Sequence, residues 1–212
     1  MAADLTQDDQ LALLVDEVTA LDDLEFMVNN AGFGTFALFH EADLARQLDM
    51  VRVHVMATMR LCHAAIPGLV ARRRGALINV ASVSAFWRFP RDATYIGTKA
   101  FVVAFTECLA LELEGTGIAV QAFCPAWVHT GFHSTQEYVK TGYTQAPPPF
   151  PEFLYISPDE SVESALGALG HGRVVHTPTF RARTVAALMG SRPGLAALAS
   201  LRRYRAHRAP QG

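Results

Sequence analysis

Three short runs, "EFMVNNA" at 25–31, "ALINVAS" at 76–82 and "IAVQAFCPAW" at 118–127, are apolar at consecutive positions and not at alternate ones. A strand with one wet face alternates, whereas a strand apolar on both faces lies in a sheet covered on both sides. Stretches of helical spacing separate the runs, at about 44–73 and 94–114. Another precedes the first run, where Leu11, Leu14, Val15, Val18 and Leu21 form one apolar stripe. Strands alternating with helices predict an α/β fold, a doubly wound parallel sheet. Ligands of such sheets bind outside the carboxyl ends of the strands. The residues to inspect are therefore Asn29 to Gly34, Ser82 to Ala85, and Pro125 to Thr130.

The punctuation of the chain refines this picture. Thr6 is the expected N-cap of the first helix, with Asp9 three residues on. Pro67 is expected to bend or break the second helical stretch, and Gly115 and Gly117 to end the third. Residues 131–157 are rich in Pro, Tyr, Phe and Gly and read as an irregular insertion that covers a site. Ser157-Pro158 should cap a helix over 158–169. "RVVHTP" at 173–178 reads as a last strand, and residues 180–212 as a basic helical tail.

Half of the 212 residues are hydrophobic and 18% are charged, so the chain is globular, a single domain over 1–212. No Asp or Glu follows Glu163, while eight arginines do. Without aromatic–basic alternation, that tail reads as a solvated helical face and not as a nucleic-acid surface. Cys62, Cys108 and Cys124 each sit in apolar sequence and are expected to be buried, reduced thiols, which fits a cytoplasmic setting. Arg52, His54, Arg60 and His63 interrupt the most apolar helical segment, 50–70, and argue against a membrane span.

Chemistry-bearing residues sit at two strand ends and on the helix between them. Tyr95 and Lys99 are four apart, so a helix places them on one face. A phenol titrates near pH 10, and an adjacent ammonium lowers that value toward the working range. Ser82, at the end of its strand, can share a hydrogen bond with the same substrate oxygen. Alone, a Tyr–Lys pair is more often a core aromatic beside a solvated amine.

Taken together, "NNAG" at 29–32, "INVAS" ending in Ser82, the thirteen-residue step to Tyr95, the YxxxK from Tyr95 to Lys99, and "CPAWVHT" ending in Thr130 resemble the short-chain dehydrogenase/reductase family. The resemblance runs from about Ala3 to Thr130. It implies a Rossmann-like fold and an oxidoreductase using NADP or NAD, with NADP favoured. The substrate implied is a ketone, aldehyde or secondary alcohol, expected to be small and apolar because Phe86, Trp87, Phe89, Trp127, Phe132, Phe150, Phe153 and Tyr155 cluster near the site edges. An equal alternative is that these aromatics form the insertion's own core. By the same resemblance Tyr95 is the general acid/base, Lys99 lowers its pKa and holds the nicotinamide ribose, and Ser82 orients the substrate oxygen. Asp4, Asn30, Ala31, Gly32, Pro125, Val128 and Thr130 line the cofactor crevice. Homo-oligomers through the helices at 50–70 and 94–114 are expected, with no nucleic-acid partner.

Three departures accompany the resemblance. His54 stands where the family carries an asparagine that leads a water to Lys99; it is either a proton relay or a satisfied histidine at a helix–strand contact. Pro125 is followed by Ala126 where the family has glycine. The glycine-rich TGxxxGxG turn that receives the pyrophosphate is found nowhere in the chain, so the expectation is a sheet missing its first two βα units. "ADLT" at 3–6 would then be the end of the family's third strand, and "EFMVNNA" an unprotected apolar edge. The competing reading is a non-catalytic remnant that acts as an association or regulatory partner.

Overall fold

The computed structural model describes residues 1–134 and 151–191. In chain order the main elements are α1 (Asp8–Thr19), β1 (Phe26–Asn29), α2 (Leu44–Val51), a π-helical turn (Arg52–Ala57) and α3 (Thr58–Arg72). Then come β2 (Gly75–Val80), a 3-10 turn (Val83–Phe86), α4 (Ala93–Glu112), β3 (Ile118–Phe123) and β4 (Trp127–Val128). Last are β5 (Tyr155–Ile156), α5 (Pro158–Gly167), β6 (Val175–His176) and α6 (Phe180–Gly190).

β1, β2, β3 and β6 form one parallel sheet in that order, and β4 pairs with β5 beside it. The expected parallel α/β sheet is present. On one face, α3 packs against β1 and β2, and α4 against β2 and β3. On the other face Ala165 of α5 closes over Ile78 and Phe123, and Gln121 Nε2 donates to the Ala165 carbonyl at 3.1 Å. Helices thus cover both sides of the middle strands.

β1 is the sheet edge. Phe26 and Val28 pair in register with Ala76 and Ile78, so they share the α5 face, where they are 53% and 49% exposed. α1 lies over α3, burying Leu11, Val18, Leu61, Ala65 and Leu69 together.

Several local expectations need correction. Thr6 does not cap α1: its hydroxyl and its amide both donate to the Asp4 carboxylate, at 2.8 and 2.9 Å, and Gln7 is the cap position, without a side-chain bond. Residues 3–6 pair with no strand; Leu5 and Thr6 form a turn closed by the Gln7 amide on the Asp4 carbonyl at 3.0 Å. Pro67 sits inside an uninterrupted α3. The irregularity in that long helix is the π turn fifteen residues earlier, a feature that widens the helix and often marks functional positions. Cys62 and Cys124 are buried free thiols, but Cys108 is exposed, on the outer side of α4.

Other local signals hold. Ser157 accepts from the Glu160 amide while Glu160 accepts from the Ser157 amide, closing a capping box with Pro158 in the first turn. Gly117 takes φ +89° in the turn after α4, where a side chain would run into the Arg73 carbonyl. Residues 44–72 and Ala93–Glu112 are long and apolar enough to cross a membrane by length and composition alone. Here they pack against α1, the sheet and each other.

Candidate active site

The site is assembled at the carboxyl ends of β1, β2 and β3. β2 ends at Val80, and Ser82 then turns the chain, its side chain accepting from the Ser84 amide at 3.2 Å to start the 3-10 turn. That turn packs against α4 and brings the Ser82 and Ser84 hydroxyls toward the Tyr95 phenol, whose proton affinity both lower; Ser84 Oγ is itself enclosed with no hydrogen-bond partner among the described residues. Phe132, just past Thr130, packs against the Tyr95 ring at 5.8 Å between centroids. Residues 135–150, Phe150 among them, lie outside the described residues.

Burial dominates the phenol, pushing it up to about 12; the Ser82 and Ser84 hydroxyls pull down, and the Asp92 charge pushes up. Lys99 does not supply the expected lowering. Its Nζ donates to the Val80 carbonyl at 2.8 Å and lies 5.8 Å from the Tyr95 ring centroid. The ammonium is thus turned onto the backbone at the end of β2, and burial holds it down at about 8.

His54 sits in the π turn, 1% exposed. Its Nε2 accepts from the Phe33 amide at 3.2 Å, and its Nδ1 meets Thr98 Oγ1 at 2.9 Å. Thr98 in turn donates to the Tyr95 carbonyl at 2.9 Å. An Nε2 that accepts leaves the proton on Nδ1, so one neutral tautomer satisfies every contact. Burial, then the Lys99 charge, pushes the ring down to about 3. His54 therefore joins the β1 loop to α4 as a neutral strut. Gly32 packs so closely on it that a Cβ there would lie 2.7 Å from Nε2.

Around this core, Asn30, Ala31 and Gly32 are exposed along one lip, while Thr130 is exposed and Pro125 and Val128 half-buried on the other. Asp4 is exposed beyond α1, its carboxylate held below the usual range by the Thr6 amide and hydroxyl. Trp87 and Trp127, 5% and 7% exposed, are a ring pair 5.7 Å apart inside the core. Together with Phe86, Phe89 and Tyr155 they pack this end of the molecule; among these residues the own-core alternative prevails over substrate contact.

Sequence reasoning gave no role to Ser84 and Phe33, though both lie in the ranges marked for inspection, and passed over Thr98 and Asp92. Ser84 and Asp92 had a usable signal, since one follows Ser82 by two residues and the other precedes Tyr95 by three at a helix start. Asn79 was also missed. Fully buried, it accepts from Asn29 Nδ2 at 2.7 Å and donates to Thr106 at 3.0 Å, stitching β1, β2 and α4 together beneath the site.

A parallel sheet with a Ser–Tyr–Lys set at its carboxyl edge defines a class, and comparison with known proteins places the chain in it. The family model for short chain dehydrogenase matches residues 1–139, and the chain belongs to that family. It is 34% identical over 129 residues to the inactive 2-(S)-hydroxypropyl-CoM dehydrogenase 2 of Xanthobacter autotrophicus, covering 60% of this chain and 56% of the relative. It is 29% identical over 187 residues to 17-beta-hydroxysteroid dehydrogenase type 3 of Danio rerio, covering 84% and 56%. The chain spans about half the length of the curated relatives it matches. A short-chain dehydrogenase from Sphingobium yanoikuyae, solved with NADPH, matches 99% of this chain and 75% of its own at 26% identity and TM-score 0.73. The bulky-bulky ketone specific alcohol dehydrogenase from Comamonas testosteroni, at 24% identity and TM-score 0.71, shares the fold over 100% of this chain and 74% of its own.

Proposed function

We propose that this chain carries the catalytic part of an NAD(P)-dependent oxidoreductase acting on an apolar ketone or aldehyde, or on the matching secondary alcohol. The observation that carries the reading is the approach of the Tyr95 phenol to the Ser82 and Ser84 hydroxyls, with His54 packed between the Tyr95 ring and the exposed Gly32. Those hydroxyls hold the substrate oxygen. The Tyr95 O–H gives its proton to that oxygen in reduction, and the phenolate takes a hydroxyl proton in oxidation.

The residues present fit the nicotinamide end of a dinucleotide. Backbone lies open at Asn30–Gly32, Pro125 and Val128 give half-buried apolar walls, and Ser84 Oγ is enclosed with no hydrogen-bond partner among the described residues. When bound, the cofactor supplies or accepts the hydride. Lys99 would hold its ribose, and Asp4 would approach the adenine end. NADP is favoured over NAD, supported by the NADPH complex of the Sphingobium relative. A glycine-rich pyrophosphate loop is not among this chain's residues.

Phe132 against Tyr95 and Phe33 beside His54 put aromatic surface next to the site, which suits an apolar carbonyl. Exposed Met56 and Met59 near the π turn and Leu111 on α4 support assembly with a second copy through the helices at 50–70 and 94–114. Two buried free thiols and one exposed one suit a reducing, cytoplasmic setting.

NADPH oxidation with a bulky aryl ketone, wild type against Tyr95→Phe, tests the reading. Loss of a general acid/base should lower kcat by about 10²–10⁴. Equal rates would end the mechanism. A second reading, a non-catalytic member, is favoured by Lys99 turned onto Val80 and by the phenol pushed up to about 12. It predicts NADPH binding, seen as enhanced cofactor fluorescence, without turnover by either protein.

A further inference from the structure

We propose that Asp92 is a second proton-holding group of this site, a positioning residue whose charge decides how readily the Tyr95 phenol parts with its proton. The inference rests on the reading of Tyr95 given above. Asp92 stands at the N-cap position of α4, three residues before Tyr95, and so on the same side of the helix. An aspartate at that position ordinarily accepts from an amide of the first turn. This one makes no capping bond, and its Oδ1 is sealed from solvent with no hydrogen-bond partner among the described residues.

The backbone that places it is unusual. Arg91, immediately before, takes φ +74°, a left-handed conformation that a non-glycine residue adopts at a cost. Its carbonyl is pinned by the Ala37 amide at 3.1 Å, and its guanidinium lies 5.7 Å from the Phe36 ring centroid. The loop after β1 and the start of α4 thus lock each other, with Asp92 half-buried and its Oδ1 enclosed.

Among the described residues no cation compensates the carboxylate. On the elements packed against α4, Arg46 and Arg52 both pair with Asp49, and His54 is neutral. Lys99 is engaged on Val80, and Arg88 donates to the Ala85 and Trp87 carbonyls. Burial alone acts on Asp92 and raises it to about 7. Its charge acts on Tyr95, raising the phenol. Below neutral pH Asp92 is protonated and the phenol is relieved of that repulsion. Above it, the carboxylate opposes phenolate formation and holds the proton on Tyr95. In carbonyl reduction the Tyr95 O–H bond breaks and an O–H bond forms on the substrate oxygen. That step leaves a phenolate, which is formed more easily beside a neutral Asp92.

The test is an NMR titration of the protein labelled with ¹³Cγ-aspartate and ¹³Cζ-tyrosine from pH 4.5 to 9, with no cofactor present. Asp92→Asn, or Asp92→Ser if the first fails to fold, assigns the carboxyl signal, and Tyr95→Phe assigns the phenol. The expected result is one aspartate with its midpoint near neutrality and a Tyr95 signal that steps at the same midpoint; the step vanishes in the Asp92 variant. In an active preparation, the rise of alcohol oxidation with pH, which needs the phenolate, moves to lower pH in that variant. A wild-type protein in which no aspartate titrates above pH 6 overturns the proposal whatever the variants do. A neutral-range aspartate that leaves Tyr95 unmoved makes Asp92 a structural residue only and overturns it equally. Failure of every turnover assay would count against the enzymatic reading and leave these NMR outcomes intact.

Discussion

Replacing His54 by asparagine asks whether the buried imidazole is a fixed neutral strut or a group that exchanges protons. In the unfolded chain a histidine titrates near 6.5, whereas burial holds His54 down at about 3 in the folded protein. Between those values the unfolded state binds the extra proton. The contribution of this residue is therefore complete above about pH 6.5 and is lost as pH falls toward 3. From pH 7.5 to 5.0 the loss is about 2 kcal/mol, about 1.5 pH units below 6.5 at about 1.36 kcal/mol each. Asparagine does not titrate, so the variant should lose about 2 kcal/mol less than wild type over the same interval. Asp92, raised to about 7, acts in the opposite direction, gaining a proton in the folded state on acidification. His176, held low by burial and by Arg183 and Arg173, acts in the same direction as His54. Both are common to the two proteins and cancel in the difference. Losing the Thr98 and Phe33 bonds makes the variant less stable at either pH, which also cancels. Urea unfolding followed by circular dichroism at pH 7.5 and 5.0 supplies the four free energies. Equal acid losses in wild type and variant would refute the reasoning, because the folded protein would then be protonating His54 as readily as the unfolded one.

Gly32→Ala should cost about 1–3 kcal/mol, since its Cβ would meet His54 Nε2 at 2.7 Å inside a packed site. Thermal melts of the double variant with His54→Asn should recover part of that loss, and strict additivity would mean the two do not touch. Asn79→Ala leaves Asn29 Nδ2 without its 2.7 Å acceptor beneath the sheet, and a drop of about 1–3 kcal/mol in chemical unfolding is expected. In the folded protein a thiol reagent should modify Cys108 alone. Cys62 and Cys124, pushed up by burial to about 11 and 12, should react only after denaturant is added, read by intact-mass spectrometry.

The sheet was legible because its signal is redundant. Ile78, Leu77, Ala122 and Phe123 are buried in strands covered on both sides, and such strands must be apolar throughout, whatever the details of the helices. β1 looks the same in sequence, yet Phe26 and Val28 are half exposed. A strand's own residues say that a face is apolar; which neighbour covers it is a property of the rest of the fold. Boundaries resting on one residue fared worse for a related reason. Thr6 and Pro67 carry propensities of order 1–3 kcal/mol, and a competing local contact overrides them, as the Asp4 carboxylate does for Thr6.

Spacing predicts which candidate residues come together but not their electrostatics. That Ser82, Tyr95 and Lys99 come from one strand end and one helix follows from their separations, and the structure brings the three into one neighbourhood. The sign of the Tyr95 perturbation does not follow from spacing, because it is set by enclosure and by the direction in which Lys99 points. Four residues along a helix bring an ammonium within reach of a phenol, yet the Val80 carbonyl, left over where β2 ends, competes for the same donor at 2.8 Å. A buried carbonyl without a partner costs about 1–3 kcal/mol, comparable with what the ammonium would gain beside a neutral phenol. The lysine therefore satisfies the backbone for as long as Tyr95 keeps its proton, and the balance shifts only when a negative charge forms on the phenol oxygen. Asp92, which no motif includes, opposes that charge from one turn away, so the proton affinity of this site is governed by residues on both sides of the pair the sequence displays.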